Sequence, residues 1–264
     1  MDDALILTRR SDDGVVWLTL NQPASMNALS LPMLQQLSAE VAALQADTTV
    51  RAVVITGAGK AFCAGGDLAG FQADLARPTP DAFLDRLRYA MDLFDRIEAL
   101  PMPVIAAVNG WAIAGGLELL LCCDLVVAAE SARIGDGHAR YGIIPAGGSS
   151  ARLPRKITAN RANYLLLSAE LLPAATLEQW GLVNLVVPDA ELADTTARLA
   201  RNVAQHSPLG LRVIKQLLRD SPRGSQQQAT QAELTAFERY AGSADLAEGL
   251  SAFAEKRRPK FTGR

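Results

Sequence analysis

Histidine is nearly missing from this chain: His138 and His206 are the only two in 264 residues. Cysteine is scarce too. Cys63, Cys122 and Cys123 form an odd set without framework spacing, which argues against a disulfide scaffold and suits a reducing compartment. No His, Cys or Asp set has zinc spacing, so no metal site is expected. Aromatics are 5% of the residues, so the core must rest on Ala, Leu, Val and Ile. No unbroken apolar stretch reaches the ~20 residues of a bilayer span. The nearest, 117–129, is interrupted by Glu118 and Asp124. Met1-Asp2-Asp3 begins no basic segment followed by an apolar run, so no signal peptide is expected. A net charge of −2 gives no general pull toward nucleic acid or anionic membranes. These absences leave a cytoplasmic globular protein that binds neither.

What is present reads as α/β. Val15–Leu20, 51–56, 104–108 and 125–129 are apolar runs of strand length. Between them, 31–46 repeats Leu34, Leu37, Val41 and Leu44 at helical spacing, with Ser30 as its N-cap and Pro32 in its first turn. A long amphipathic helix covers 81–100, and another helix starts near Leu117. Strands that alternate with helices point to an α/β fold. A strand, a loop and a Gly-Gly pair occur twice, ending at Gly66 and at Gly116. From Ala159 onward the chain reads as mostly helical, with a strand-like insert at 185–187 and a polar break at 222–232. The expected division is a core over 1–204 and a helical region over 205–264.

Several side chains carry chemistry. Glycine has no Cβ, so a ligand can approach its backbone closely. Two N–H groups aimed at one point form an oxyanion hole, and the Gly-Gly loops can supply them or be plain tight turns. Glu118 lies in the first turn of an otherwise apolar helix. It reads either as a carboxylate favoured by the helix dipole or as a desolvated general acid/base. Asp124 reads as a turn or helix-end residue. His138 sits in the loop Gly135-Asp136-Gly137-His138, where structural and chemical roles are both open. Lys256, Arg257, Arg258, Lys260 and Arg264 form a basic tail, either solvated or facing an anionic ligand. The loop at Gly57 lacks the third glycine of a dinucleotide fingerprint, and Gly59-Lys60 lacks the Ser or Thr of a P-loop. No Gly-x-Ser-x-Gly elbow exists, which argues against an α/β-hydrolase.

Taken jointly, six segments resemble the crotonase (enoyl-CoA hydratase/isomerase) superfamily. They are 21–29, 62–68 (Phe-Cys-Ala-Gly-Gly-Asp-Leu), 109–119 (Asn-Gly-Trp-Ala-Ile-Ala-Gly-Gly-Leu-Glu-Leu), 123–124, 141–145 and 252–257. The resemblance covers nearly the whole chain. It implies a spiral of ββα units followed by a helical trimerisation region, in a homotrimer or a dimer of trimers. It implies an acyl-CoA substrate whose thioester enolate is stabilised by the N–H groups of Gly66 and Gly115. Coenzyme A would belong to that substrate, and no separate cofactor is implied. Ala64, Gly65, Gly66, Asp67 and Leu68 match the loop that holds CoA, and Ser25 and Met26 fall in its first CoA-binding segment. Phe253 and Lys256 match residues that reach the CoA of a neighbouring subunit.

Glu118 matches the first of two hydratase glutamates, whereas the second position holds His138. That departure leaves His138 as a water-holding or proton-donating group or as part of the pocket wall, with Asp136 as another candidate partner. The expected function is water addition across a 2-enoyl-CoA in fatty acid metabolism. The rivals are double-bond isomerisation, other lyase or hydrolase chemistry, and non-catalytic acyl-CoA binding. Phe71, Leu84 and Leu87 are expected in the acyl-pocket wall formed by 69–90.

Overall fold

A computed structural model of the chain describes residues 4–76, 81–221 and 224–264. Met1-Asp2-Asp3, residues 77–80 of the expected pocket wall and residues 222–223 of the expected polar break lie outside the described residues.

The strands in chain order are β1 (Ile6–Arg10), β2 (Val15–Leu20), β3 (Ala52–Gly57), β4 (Ala61–Cys63), β5 (Val104–Val108), β6 (Trp111–Ile113), β7 (Leu125–Ala129), β8 (Arg133–Gly135), β9 (Leu172–Pro173) and β10 (Leu185–Val187). They form two sheets, ordered β1-β2-β3-β5-β7-β10 and β4-β6-β8-β9. In the larger sheet β1 is antiparallel to β2, and the other pairings are parallel. Its central strands, Val-Ile-Ala-Ala-Val in β5 for example, are buried along their whole length. Continuous apolar runs of this kind are expected where a parallel sheet is covered on both faces.

Each circuit of the chain lays one strand in the large sheet and the next in the small one: β3 then β4, β5 then β6, β7 then β8. The repeat glimpsed twice in the sequence therefore occurs a third time, without a Gly-Gly pair to mark it. Helices close the circuits: α1 (Leu31–Ala46), α2 (Leu68–Leu75), α3 (Asp81–Glu98) and α4 (Gly115–Leu121). The Ser30 hydroxyl accepts from Met33 N–H, a cap worth about 1 kcal/mol. Leu34, Leu37, Val41 and Leu44 of α1 are buried as their spacing predicts. The aromatic-poor interior is filled chiefly by aliphatic side chains, with Phe62 and Phe94 the largest that are fully enclosed.

After α5 (Ser149–Lys156), α6 (Ala159–Ser168) and α7 (Ala174–Trp180), β10 joins the large sheet and α8 (Leu192–Ala204) packs across it. The chain ends in α9 (Pro208–Asp220), α10 (Gln226–Tyr240) and α11 (Ala244–Ala254). Two boundaries differ from expectation. The polar segment 226–232 is helical, because Ser225 and Gln228 form a reciprocal capping box and Gln is a good helix former. And α4 begins at Gly115, two residues before Leu117, with no side-chain cap. Asp124 is structural: it accepts from Val104 N–H at 2.7 Å and pairs with Lys215. Among the described residues no helix is long and apolar enough to cross a membrane.

Candidate active site

Strands β4, β6 and β8 are adjacent and parallel, with Cys63 beside Ala112 and Ile113 beside Gly135. Their carboxyl ends therefore open at one place, where parallel α/β sheets commonly bind ligands. Three loops leave from there: Ala64-Gly65-Gly66, Ala114-Gly115 leading to Glu118, and Asp136-Gly137-His138. Every candidate chemical group comes from one of the three.

The first two loops pack backbone against backbone. Gly65 has φ +99°, and a Cβ there would come within 2.8 Å of the Ile113 carbonyl. A Cβ on Gly115 would lie 3.4 Å from the Gly66 nitrogen, so the two N–H groups are near neighbours. Leu29 N–H donates to the Gly65 carbonyl at 2.8 Å, and Ala64 N–H donates to the Met26 carbonyl at 2.9 Å. Among the described residues, the N–H groups of Gly66 and Gly115 make no such turn or cap bond. Ala114 has φ +52°, a strained value for a residue with a Cβ, and it turns the chain directly into the Gly115 amide. Two free, adjacent donors of this kind can hold a developing oxyanion. Each is worth about 2.7–4 kcal/mol in a transition state.

Glu118 is 4% exposed. Its Oε1 accepts from Gly147 N–H at 2.7 Å and from Ser149 N–H at 3.2 Å. Burial raises its pKa; the positive His138 and the two amides oppose the rise without cancelling it. Arg152 steadies the loop that supplies those amides. Its Nη1 donates to the Gly147 carbonyl at 2.7 Å, its Nε donates to Glu98 at 2.9 Å, and its Nη2 donates to Asp95. The sequence reading missed this buttress. A glycine pair followed by serines at 147–150 was the available signal for a tight, donor-rich loop.

His138 is held through its Nδ1, 2.9 Å from Oδ1 of Asp136. The same oxygen accepts the His138 backbone N–H at 3.2 Å. A carboxylate acceptor fixes the proton on Nδ1 and leaves Nε2 for other partners. Burial alone would lower the His138 pKa. The Asp136 hydrogen bond and charge, with the charge of Glu118, outweigh burial and leave it raised. Asp136 is 1% exposed, and its Oδ2 has no hydrogen-bond partner among the described residues.

These groups face a cavity of about 560 Å³. Ala64, Gly66, Leu68, Gly115, Glu118 and His138 all line it, and so do Phe71, Leu84 and Leu87. Gly65 lies behind the wall, and Asp67 caps α2 by accepting from Gly70 N–H at 3.1 Å. Ser25 and Met26 form the turn beside Ala64. Phe253 and Lys256 are elsewhere, at the end of α11. Phe253 is 85% exposed, and neither residue lines this cavity. Arg86, a cation in an otherwise apolar wall, went unnoticed in the sequence because it looks like one more polar position on an amphipathic helix.

The family model for enoyl-CoA hydratase/isomerase matches residues 10–264. The chain belongs to the enoyl-CoA hydratase/isomerase family. Its backbone superposes on the enoyl-CoA hydratase from Bacillus anthracis with a TM-score of 0.93, at 34% identity, covering 98% of this chain and 100% of that one. The architecture is thus the crotonase fold. Among curated relatives, the 2,3-dehydroadipyl-CoA hydratase of Escherichia coli K12 is 40% identical over 98% of this chain and 99% of its own length. The 1,2-epoxyphenylacetyl-CoA isomerase of the same organism is also 40% identical, over 96% of this chain and 97% of its own. Family membership therefore fixes the class, hydratase/isomerase chemistry. Equal similarity to a hydratase and an isomerase leaves the choice between reactions to the site itself.

Proposed function

We propose that the protein is an enoyl-CoA hydratase, adding water reversibly across a 2-enoyl-CoA. One observation carries the reading: a carboxylate, Glu118, and an imidazole, His138, face the same cavity as the paired Gly66 and Gly115 amides. Hydration needs a base for water and an acid for carbon, and both are present. Both pKa shifts are upward: burial moves Glu118 above the ordinary carboxylate value, and Asp136 outweighs burial to favour the protonated, proton-donating form of His138.

In this mechanism the thioester oxygen sits between the Gly66 and Gly115 N–H groups. Glu118 takes a proton from water as the water oxygen bonds to C3. The π electrons shift through C2 onto the thioester oxygen, giving an enolate held by the two amides. His138 Nε2–H then delivers its proton to C2, and Asp136 keeps the ring oriented through Nδ1. The product is a 3-hydroxyacyl-CoA. Transfer of the Glu118 proton to His138 through a second water restores the starting state.

Double-bond isomerisation is the second reading, favoured by Glu118 being the single carboxylate among the described cavity-lining residues. Product mass separates the two, because hydration adds one water and isomerisation adds nothing. A Glu118→Gln variant that kept full activity would sink both assignments.

The same proposal includes a homotrimer or dimer of trimers in the cytoplasm. Ile214, Leu218, Leu234 and Phe237 on α9 and α10 are exposed, which suits a subunit contact. Phe253 and Lys256 would then serve the CoA of a neighbouring subunit.

A further inference from the structure

Helices α2 and α3 form one wall of the cavity, and Arg86 enters that wall from α3. Its Nη2 lies 2.7 Å from an Asp74 carboxylate oxygen and its Nη1 lies 3.7 Å from Asp67. Its guanidinium carbon is 5.6 Å from the centre of the Phe71 ring. That ring lies so near Gly66 that a Cβ there would come within 2.7 Å of it. Arg86 therefore stands one aromatic side chain away from the site of the thioester oxygen. Gly70 makes room for it, since a Cβ at that position would meet Nη1 at 2.3 Å.

Nε and Nη1 of Arg86 are buried and have no hydrogen-bond partner among the described residues. Buried donors without acceptors are costly and rare, and a site built around them discriminates strongly between ligands that do and do not supply an acceptor. The surrounding wall is apolar, with Leu75, Phe83, Leu84 and Leu87 nearby along the same helices. A plain alkyl chain filling this space would leave both N–H groups empty. A chain carrying an oxygen would satisfy them. Charge decides which oxygen: Asp74 and Asp67 already face the cation, so a further carboxylate would be repelled.

We propose, resting on the acyl-CoA reading above, that Arg86 is a specificity residue selecting acyl chains with an uncharged oxygen, a ketone or hydroxyl, beyond the reacting carbons. Binding of saturated esters tests this without requiring turnover. The probes are octanoyl-CoA, its 5-, 6- and 7-oxo derivatives, and the eight-carbon ω-carboxylate ester, each titrated calorimetrically into the wild type, Arg86→Met and Arg86→Lys. Arg86→Lys keeps a cation beside Asp74 while removing the planar donor pair, so it guards against loss of folding in Arg86→Met. The wild type should bind at least one oxo ester about tenfold more tightly than octanoyl-CoA, and both variants should lose that preference. Equal binding of oxo and alkyl esters by the wild type would overturn the proposal. So would a preference that survives in Arg86→Lys, or a uniform loss of affinity for all esters in both variants, which is the signature of a mere α2–α3 latch. Tightest binding of the ω-carboxylate would overturn the assignment to an uncharged acceptor. Failure of octanoyl-CoA itself to bind would instead remove the acyl-CoA reading on which the inference stands.

Discussion

The two sides of the cavity are built differently. On one side, Gly66, Gly115, Glu118 and His138 follow the ends of three short parallel strands, and main-chain contacts fix their positions. On the other, α2 and α3 present side chains, several of them exposed: Leu68, Leu75 and Leu84. The strand side has no slack, since an added Cβ at Gly116 would fall 2.1 Å from the Cys63 carbonyl. Exposed positions such as Leu68, Leu75 and Leu84 can change without disturbing the sheet, whereas the last turns of α3 bury Leu93, Phe94 and Ile97 and anchor Arg152 through Asp95 and Glu98. On the proposed mechanism, chemistry falls on the part without slack and acyl recognition on the exposed part of α2 and α3.

Substitutions on the two sides should accordingly differ in kind. Glu118→Gln should give the largest loss, about 10²–10⁴-fold in kcat, with acyl-CoA affinity nearly unchanged by calorimetry. Glutamine still offers an oxygen to Gly147 and Ser149, so the loop stays in place. Gly115→Ala comes next. Its Cβ meets Leu29 at a tolerable 3.1 Å but crowds the space beside the Gly66 amide. A fall of about 10²–10³-fold in kcat is expected, and steady-state kinetics on a folded variant checks it.

The pH profile sharpens the comparison. Glu118 must be ionised, and its pKa is raised, so activity should fall with acid from a point above the ordinary carboxylate range. His138 must be protonated, and its pKa is raised, so activity should be lost as pH rises past a point above the ordinary imidazole value. Asp136→Asn removes the main raising influence and leaves burial, which lowers the pKa, opposed only by the charge of Glu118. The alkaline limb of kcat/KM should then move to lower pH. An unmoved limb would detach His138 from the chemistry. On the helical side, Phe71→Ala should alter the ranking of acyl chains by only about 10–200-fold, with kcat for the best substrate largely kept. A collapse of kcat there would erase the proposed division of labour.

Much of this was legible in the sequence, and for identifiable reasons. The strands at 15–20, 104–108 and 125–129 are short apolar runs. Ser30 and Pro32 mark a helix start, and the Gly-Gly pairs flag close backbone approach. The third circuit was not seen, because Asp136-Gly137-His138 occupies the place where the earlier circuits carry two glycines. The support for Glu118 was hidden as well. The glycine-serine pattern at 147–150 signals a tight loop but not that its Gly147 and Ser149 N–H groups meet Glu118, and Arg152 acts through contacts to Asp95 and Glu98 more than fifty positions away. Helix α10 was masked by its glutamines, which read as a break although they favour helix once Ser225 caps them.

The most direct test of the central claim is product analysis by mass. The pure protein is incubated in ¹⁸O-labelled water with short, long, branched and oxygenated 2-enoyl-CoA esters. The account predicts gain of one labelled water at C3 in at least one ester, abolished in Glu118→Gln and diminished in His138→Ala. Loss of the conjugated double bond with no gain in mass, or release of free CoA thiol, would contradict it.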